Sequence, residues 1–173
     1  MQNSGKINVY IDWANLEKGS QSLGFDIDYE KFFVWLRLKY LADKIYMFMG
    51  FLPEYAERYL YLQEFGYNLV FKDTVRDIHG DVKGNCDGEM ILKIALDYYD
   101  DSFDSCFIVS GDGDFRCIVD FLNERNKISA VLVPCKARHS ILLKRIQALS
   151  IIHLDSHYPS FSSRGGAYMK NPL

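Results

Sequence analysis

Asp112 and Asp114, separated by Gly113 in the run CFIVSGDGDF from Cys106 to Phe115, are the residues best placed to do chemistry. Two carboxylates about 4 Å apart repel by roughly 4 kcal/mol at an intermediate dielectric, which calls for a proton or a hard cation between them. Asp12 closes the apolar run INVYI, with Asn15 three residues on, and Asp87 opens the amphipathic stretch CDGEMILKIALDYY. An oxygen-rich cluster of this kind suits Mg2+ or Mn2+. Those ions polarise phosphate oxygens, activate water and offset leaving-group charge. The plainer account of each acid taken singly is a solvated turn or a helix cap.

Positioning these acids is the task of the elements between them. Short apolar, β-branched runs predict strands at 7–11, 45–51, 67–71, 106–109, 128–133 and 151–154. Helical spacing or breakers predict helices at 28–41, 53–65, 86–99, 114–124 and 138–149. Strands alternating with helices imply an α/β fold, a three-layer α/β/α sandwich around a mainly parallel sheet. All strand carboxyl ends then share one rim, and neighbouring first and fourth strands would bring Asp12, Asp112 and Asp114 together there. Asp87 approaches from the preceding helix. Asp97 lies ten residues along that helix, too far to share a metal with Asp87, and a structural salt bridge or hydrogen bond is expected for it. Tyr55, Tyr59 and Tyr61 read as core before base-stacking residues.

The polar stretch 72–85 is long for a connection in such a domain. His79, Asp73, Asp77 and Asp81 read there as solvated loop, whereas Lys83, close to Asp87, is a candidate substrate contact. Arg116, Lys136 and Arg138 lie beside the acidic motif or just past a strand end, where cations could meet phosphates.

The 173 residues, 49% of them hydrophobic and 15% aromatic, fit one folded domain, expected over 1–155 with a loose Ser/Gly/Pro-rich tail over 156–173. A net charge of -3 excludes grip on nucleic acid over the whole surface and leaves room for a local basic groove. No bilayer-length apolar run or leader pattern is seen, so a cytoplasmic protein without a membrane partner is expected. Cys86, Cys106, Cys117 and Cys135 form no CxxC pair and read as free thiols, with Cys106 and Cys117 in apolar, buried settings. There is no P-loop, no dinucleotide fingerprint, and no serine elbow at Ser110.

The segments YIDWANL (Tyr10 to Leu16), KGNCDGEMILKIALD (Lys83 to Asp97) and FIVSGDGDF (Phe107 to Phe115), in this order, resemble the NYN domain family (LabA-like proteins) of the PIN-like nuclease superfamily. The resemblance runs over about Ile7 to Asp155, with Ser140, Leu143 and a strand ending near Asp155 similar to the family's closing segment. It implies a PIN-like, Rossmann-like topology, an acidic metal site at Asp12, Asp87, Asp112 and Asp114, and a supporting amide at Asn15. Asp97 resembles the family's further acid on the same helix. The glycine in CDG departs from the family pattern and bears on the placement of Asp87. The implied function is a metal-dependent ribonuclease that hydrolyses single-stranded RNA with metal-activated water. Two other readings use the same residues: a weakly catalytic or non-catalytic module binding nucleic acid or protein, and a metal-dependent phosphatase for small substrates. The oligomeric state, a homodimer included, stays open.

Overall fold

The computed structural model describes residues 5–76, 82–83 and 86–163, with backbone alone at 75–76 and 82–83. In chain order the elements are β1 (Ile7–Asp12), α1 (Trp13–Ser22), α2 (Tyr29–Tyr40), β2 (Lys44–Phe51), α3 (Ala56–Glu64), β3 (Asn68–Asp73), β4 (Val75–Arg76), β5 (Val82–Lys83), α4 (Asp87–Tyr99), β6 (Ser105–Val109), α5 (Arg116–Asn123), β7 (Ile128–Val133), α6 (Ile141–Lys144), β8 (Ile151–His153) and α7 (Tyr158–Phe161).

Alternation along β1 sets the layers. Val9 and Ile11 point into a core shared with α1, α2, α3 and α7, built on Leu16, Phe32, Leu36, Tyr59, Leu62 and Phe161. Tyr10 points the other way, into a core with α4, α5 and α6 that includes Met90, Ile94, Ile118, Leu122 and Leu143. The two cores sandwich one six-stranded sheet of order β3-β2-β1-β6-β7-β8, and each neighbouring pair is parallel. The chain winds outward from β1 with helices on one face, then returns to β6 and winds outward the other way with helices on the opposite face. The reversal falls between β1 and β6, where doubly wound sheets leave a crevice at the strand carboxyl ends.

Helix α4 is tied to β1 through a buried polar chain. Asp97, buried as expected of a structural acid, accepts from the Tyr10 hydroxyl at 2.8 Å and from Lys93 Nζ at 2.6 Å. The Asn8 amide donates to the Tyr10 oxygen at 3.1 Å, and the Tyr10 ring stacks on Tyr46 at 5.3 Å. Burial, with the Asp97 carboxylate beside it, holds the Tyr10 phenol well above its usual range, so the hydroxyl stays protonated and donates. Asp97 thus fixes how far α4 slides along the sheet, and with it where Asp87 at the helix start comes to rest.

Several expectations are corrected. Helix α1 follows β1 without a break because Asp12 itself caps it, accepting from the Asn15 N–H. Stretch 72–85 extends β3 to Asp73 and carries a short antiparallel β4–β5 ladder, while 77–81 and 84–85, including His79, Asp77 and Asp81, lie outside the described residues. The helix expected at 138–149 is a 3-10 turn at Lys136–Arg138 followed by the single turn of α6, because Ser140 caps afresh by accepting from the Leu142 N–H and Ala148 turns left-handed. Cys117 is exposed, not buried; all four thiols are free, and Tyr59 is core.

The supposed tail is also part of the fold up to Ser163; residues 164–173 lie outside the described residues. Tyr158 and Phe161 are fully buried. Phe161 packs at 4.7 Å from Phe32 and 4.9 Å from Trp35, its carbonyl accepts from the Asp28 N–H, and the Tyr158 hydroxyl donates to the Pro134 carbonyl at 2.6 Å. These aromatic contacts were hidden by the surrounding Ser and Pro. Phe161→Ala should lower unfolding free energy by about 3–4 kcal/mol in urea titrations; a change within about 0.5 kcal/mol is what a loose tail would give.

Candidate metal and phosphate site

The parallel register of β1 and β6, with Ile11 opposite Val109, sets Asp12 beside Ser110 at the rim. Ser110 is the hinge of the site. Its hydroxyl donates to Asp12 Oδ2 at 3.1 Å, and its oxygen accepts from the Asp112 N–H at 3.1 Å. The other Asp12 oxygen accepts the Asn15 N–H at 3.1 Å, and Asn15 Oδ1 accepts from the Gly111 N–H at 2.9 Å. Asp112 in turn caps the 3-10 turn Gly113–Phe115 by accepting from the Asp114 N–H at 3.1 Å. One continuous run of hydrogen bonds therefore joins the start of α1 to the SGDGD loop.

Asp87, Asp112 and Asp114 converge: each offers a carboxylate oxygen, and the three lie within 4.8 Å of one another. Asp87 reaches the group from the first turn of α4, where the helix dipole favours a negative charge, and the glycine after it does not displace it. Asp114 is exposed, while Asp87 and Asp112 are half-buried. Three such oxygens form a donor set suited to a hard divalent ion.

Asp12 stands behind this triad. Burial, reinforced by the negative charges of Asp87 and Asp112, pushes its carboxyl up to about 6 even though Asn15 and Ser110 donate to it. Both its oxygens are already engaged within the protein.

A cleft of about 240 Å³ opens beside Asp112, lined by that residue with Asn15, Lys18, Gly111, Arg138 and Ser140 among others. Its walls are in close contact. A Cβ on Gly113 would sit 2.4 Å from Ser140 Oγ, and one on Gly19 would sit 2.5 Å from Pro134 Cβ. The Ser140 N–H donates to the Gly111 carbonyl at 3.0 Å, locking the loop after β7 onto the acidic loop. Of the cations expected near substrate, Arg138 lines this cleft. Arg116 is exposed and reaches Asp120 at 3.8 Å, and Lys136 is exposed on the rim, its N–H donating to Asp155 at 2.9 Å. The Lys83 side chain lies outside what is described. Lys18 was not anticipated. The signal was there: once Asp12 is read as a helix cap, Asn15 and Lys18 fall three apart on one side of α1.

The raised Asp12 carboxyl has a signed consequence. In metal-free protein the folded state holds a proton that the unfolded state releases, so between about pH 4 and pH 6 ionising Asp12 removes stability. Asp12→Asn cannot ionise. Its stability relative to wild type should therefore improve by about 2 kcal/mol on going from pH 4 to pH 7 in chelator. A difference that stays constant with pH, measured by urea denaturation, would contradict the buried, charge-crowded setting of Asp12.

Comparisons with known proteins agree with the architecture. A protein of unknown function from Vibrio parahaemolyticus RIMD 2210633, VPA0982, superposes with a TM-score of 0.65 at 20% identity, covering 94% of this chain and 100% of its own, and shares the fold. The T5 D15 protein, crystallised with metal ions, gives a TM-score of 0.44 at 12% identity over 74% of this chain and 54% of its own, too slight a likeness to argue from. No curated protein matches the sequence. The NYN domain model matches residues 6–148, spanning β1 through α6 and including Asp12, Asp87, Asp112 and Asp114. The chain belongs to the NYN domain family, within the PIN-like superfamily.

Proposed function

We propose that this protein is a metal-dependent ribonuclease that hydrolyses phosphodiester bonds of single-stranded RNA. The observation that carries this reading is the convergence of Asp87, Asp112 and Asp114 within 4.8 Å at the edge of a cleft lined by Lys18 and Arg138. The acids hold Mg2+ or Mn2+, which when bound supplies Lewis acidity to the phosphate. Asp12 adds negative charge behind them and, through Ser110, orients the Asp112 backbone. Asn15 clamps Gly111 and so keeps the SGDGD loop against α1.

Water is the nucleophile in this reading, without a covalent intermediate. The candidate side-chain nucleophile at the rim, Ser110, is buried with its proton donated to Asp12 and its oxygen accepting from Asp112. Single-stranded RNA is favoured because a flexible backbone bends into a narrow rim, whereas a duplex needs a broader basic surface than a chain of net charge -3 offers. Arg116 and Lys136, both exposed, would meet more distant phosphates, and Lys83 is kept as a candidate contact on its place in the sequence before Asp87. Among the described residues no helix is long and apolar enough to cross a membrane, and the four free thiols suit the reducing cytoplasm where we place the protein.

Asp112→Asn keeps an oxygen that can cap the Asp114 N–H and removes the charge. It should cut turnover on labelled single-stranded RNA by at least about a hundredfold, with RNA affinity changed by no more than a few-fold. Chelation should abolish the wild-type activity and manganese restore it. Equal cleavage by mutant and wild type would assign the activity to a contaminant. No cleavage of any RNA with added manganese would favour a binding module, and rapid hydrolysis of a small phosphate ester with RNA untouched would favour a phosphatase.

A further inference from the structure

The cleft beside the acids has the opposite polarity from the acids themselves. Lys18 and Arg138 both line it, and neither has an ion-pair partner among the described residues. Asn15 has its oxygen taken by the Gly111 N–H, which leaves its amide NH2 to donate. Ser140 accepts from the Leu142 N–H, which leaves its hydroxyl proton to donate. The one carboxylate on the wall, Asp112, belongs to the acid triad. Two cations without an ion-pair partner among the described residues and two neutral donors lining one small concavity suit an anion whose charge is spread over several oxygens.

We propose that this cleft is a phosphate subsite, distinct from the metal-binding triad, which holds the phosphate next to the one being cut. Lys18 and Arg138 neutralise it, and Asn15 and Ser140 orient it. The inference rests on the reading of the substrate as a phosphodiester chain. Because the Gly19–Pro134 and Gly113–Ser140 contacts close the walls, the subsite stands at a fixed offset from the triad. The substrate must therefore carry at least two consecutive phosphates. A dinucleoside monophosphate, with a single phosphate, cannot fill both places, and adding a terminal phosphate at one of its two ends should restore cleavage.

Binding is measured separately from cleavage, by fluorescence anisotropy of a short labelled oligouridylate in chelator over a range of salt. Wild type is compared with Lys18→Gln and with Lys44→Gln, a change at the start of β2 on the opposite rim. Lys18→Gln should weaken binding about tenfold and make the slope of log affinity on log salt shallower by about 0.7, the value of one phosphate contact on a single strand. Lys44→Gln should alter neither. Inorganic phosphate should compete with the RNA less well against Lys18→Gln than against wild type. Lys18 is exposed and unpaired, so its replacement should leave the melting temperature unchanged. If wild type cleaves RNA and Lys18→Gln binds with unaltered affinity and slope, the subsite is overturned while the nuclease reading survives. If binding depends on Lys18 but nothing is cleaved, the cleft stands as a phosphate-binding site for RNA while its place beside a cut phosphate falls with the nuclease reading.

Discussion

Mutual repulsion among carboxylates is the constraint on which this structure turns. Three acids with oxygens within 4.8 Å, and a fourth held behind them, would spread apart in a flexible chain. Here each is held by an element it did not choose. Asp12 ends a central strand, Asp112 and Asp114 are fastened to one 3-10 turn, and Asp87 is carried by a helix anchored ten residues away. The cost of assembling the charge is borne by the hydrogen bonds and packing of the sheet, and a bound cation would relieve it.

That division of labour explains the two buried polar chains. One runs Gly111, Asn15, Asp12, Ser110 and Asp112, joining α1 to the loop after β6 across the reversal point of the sheet. The other runs Asn8, Tyr10, Asp97 and Lys93, joining α4 to β1. Each buried group in the second chain has a partner that matches its charge or donor state, apart from the side-chain oxygen of Asn8, Oδ1, which has none among the described residues. Together they fix Asp12, Asp112 and Asp87 relative to a single strand, β1. The cation-lined cleft follows from the same loops, since the locking of Ser140 onto Gly111 brings Arg138 beside Asp112.

Much of this was legible in the sequence because it depends on local signals. The apolar runs, their spacing and the acids at their ends marked all six strands of the sheet and the shared rim, and the ten-residue separation of Asp87 and Asp97 already separated a site acid from a structural one. What escaped was decided by tertiary contact or by one residue serving two roles. Asp12 was weighed both as a site acid and as a cap, but the helix it starts, and with it Lys18, went unseen. The run from 138 to 149 has helical spacing, but Ser140 is drawn to Gly111 and breaks it into turns. Tyr158 and Phe161 sit among Ser and Pro, and only the pocket formed by Phe25, Phe32 and Trp35 shows why they are buried.

The central claim, that Asp87, Asp112 and Asp114 form a divalent-cation site, is tested most directly by anomalous diffraction from manganese-soaked crystals. The account predicts a manganese peak within coordination distance of all three carboxylates, reduced or lost in Asp112→Asn. A well-ordered site with no anomalous density between them, or manganese bound elsewhere with these three acids untouched, would contradict it.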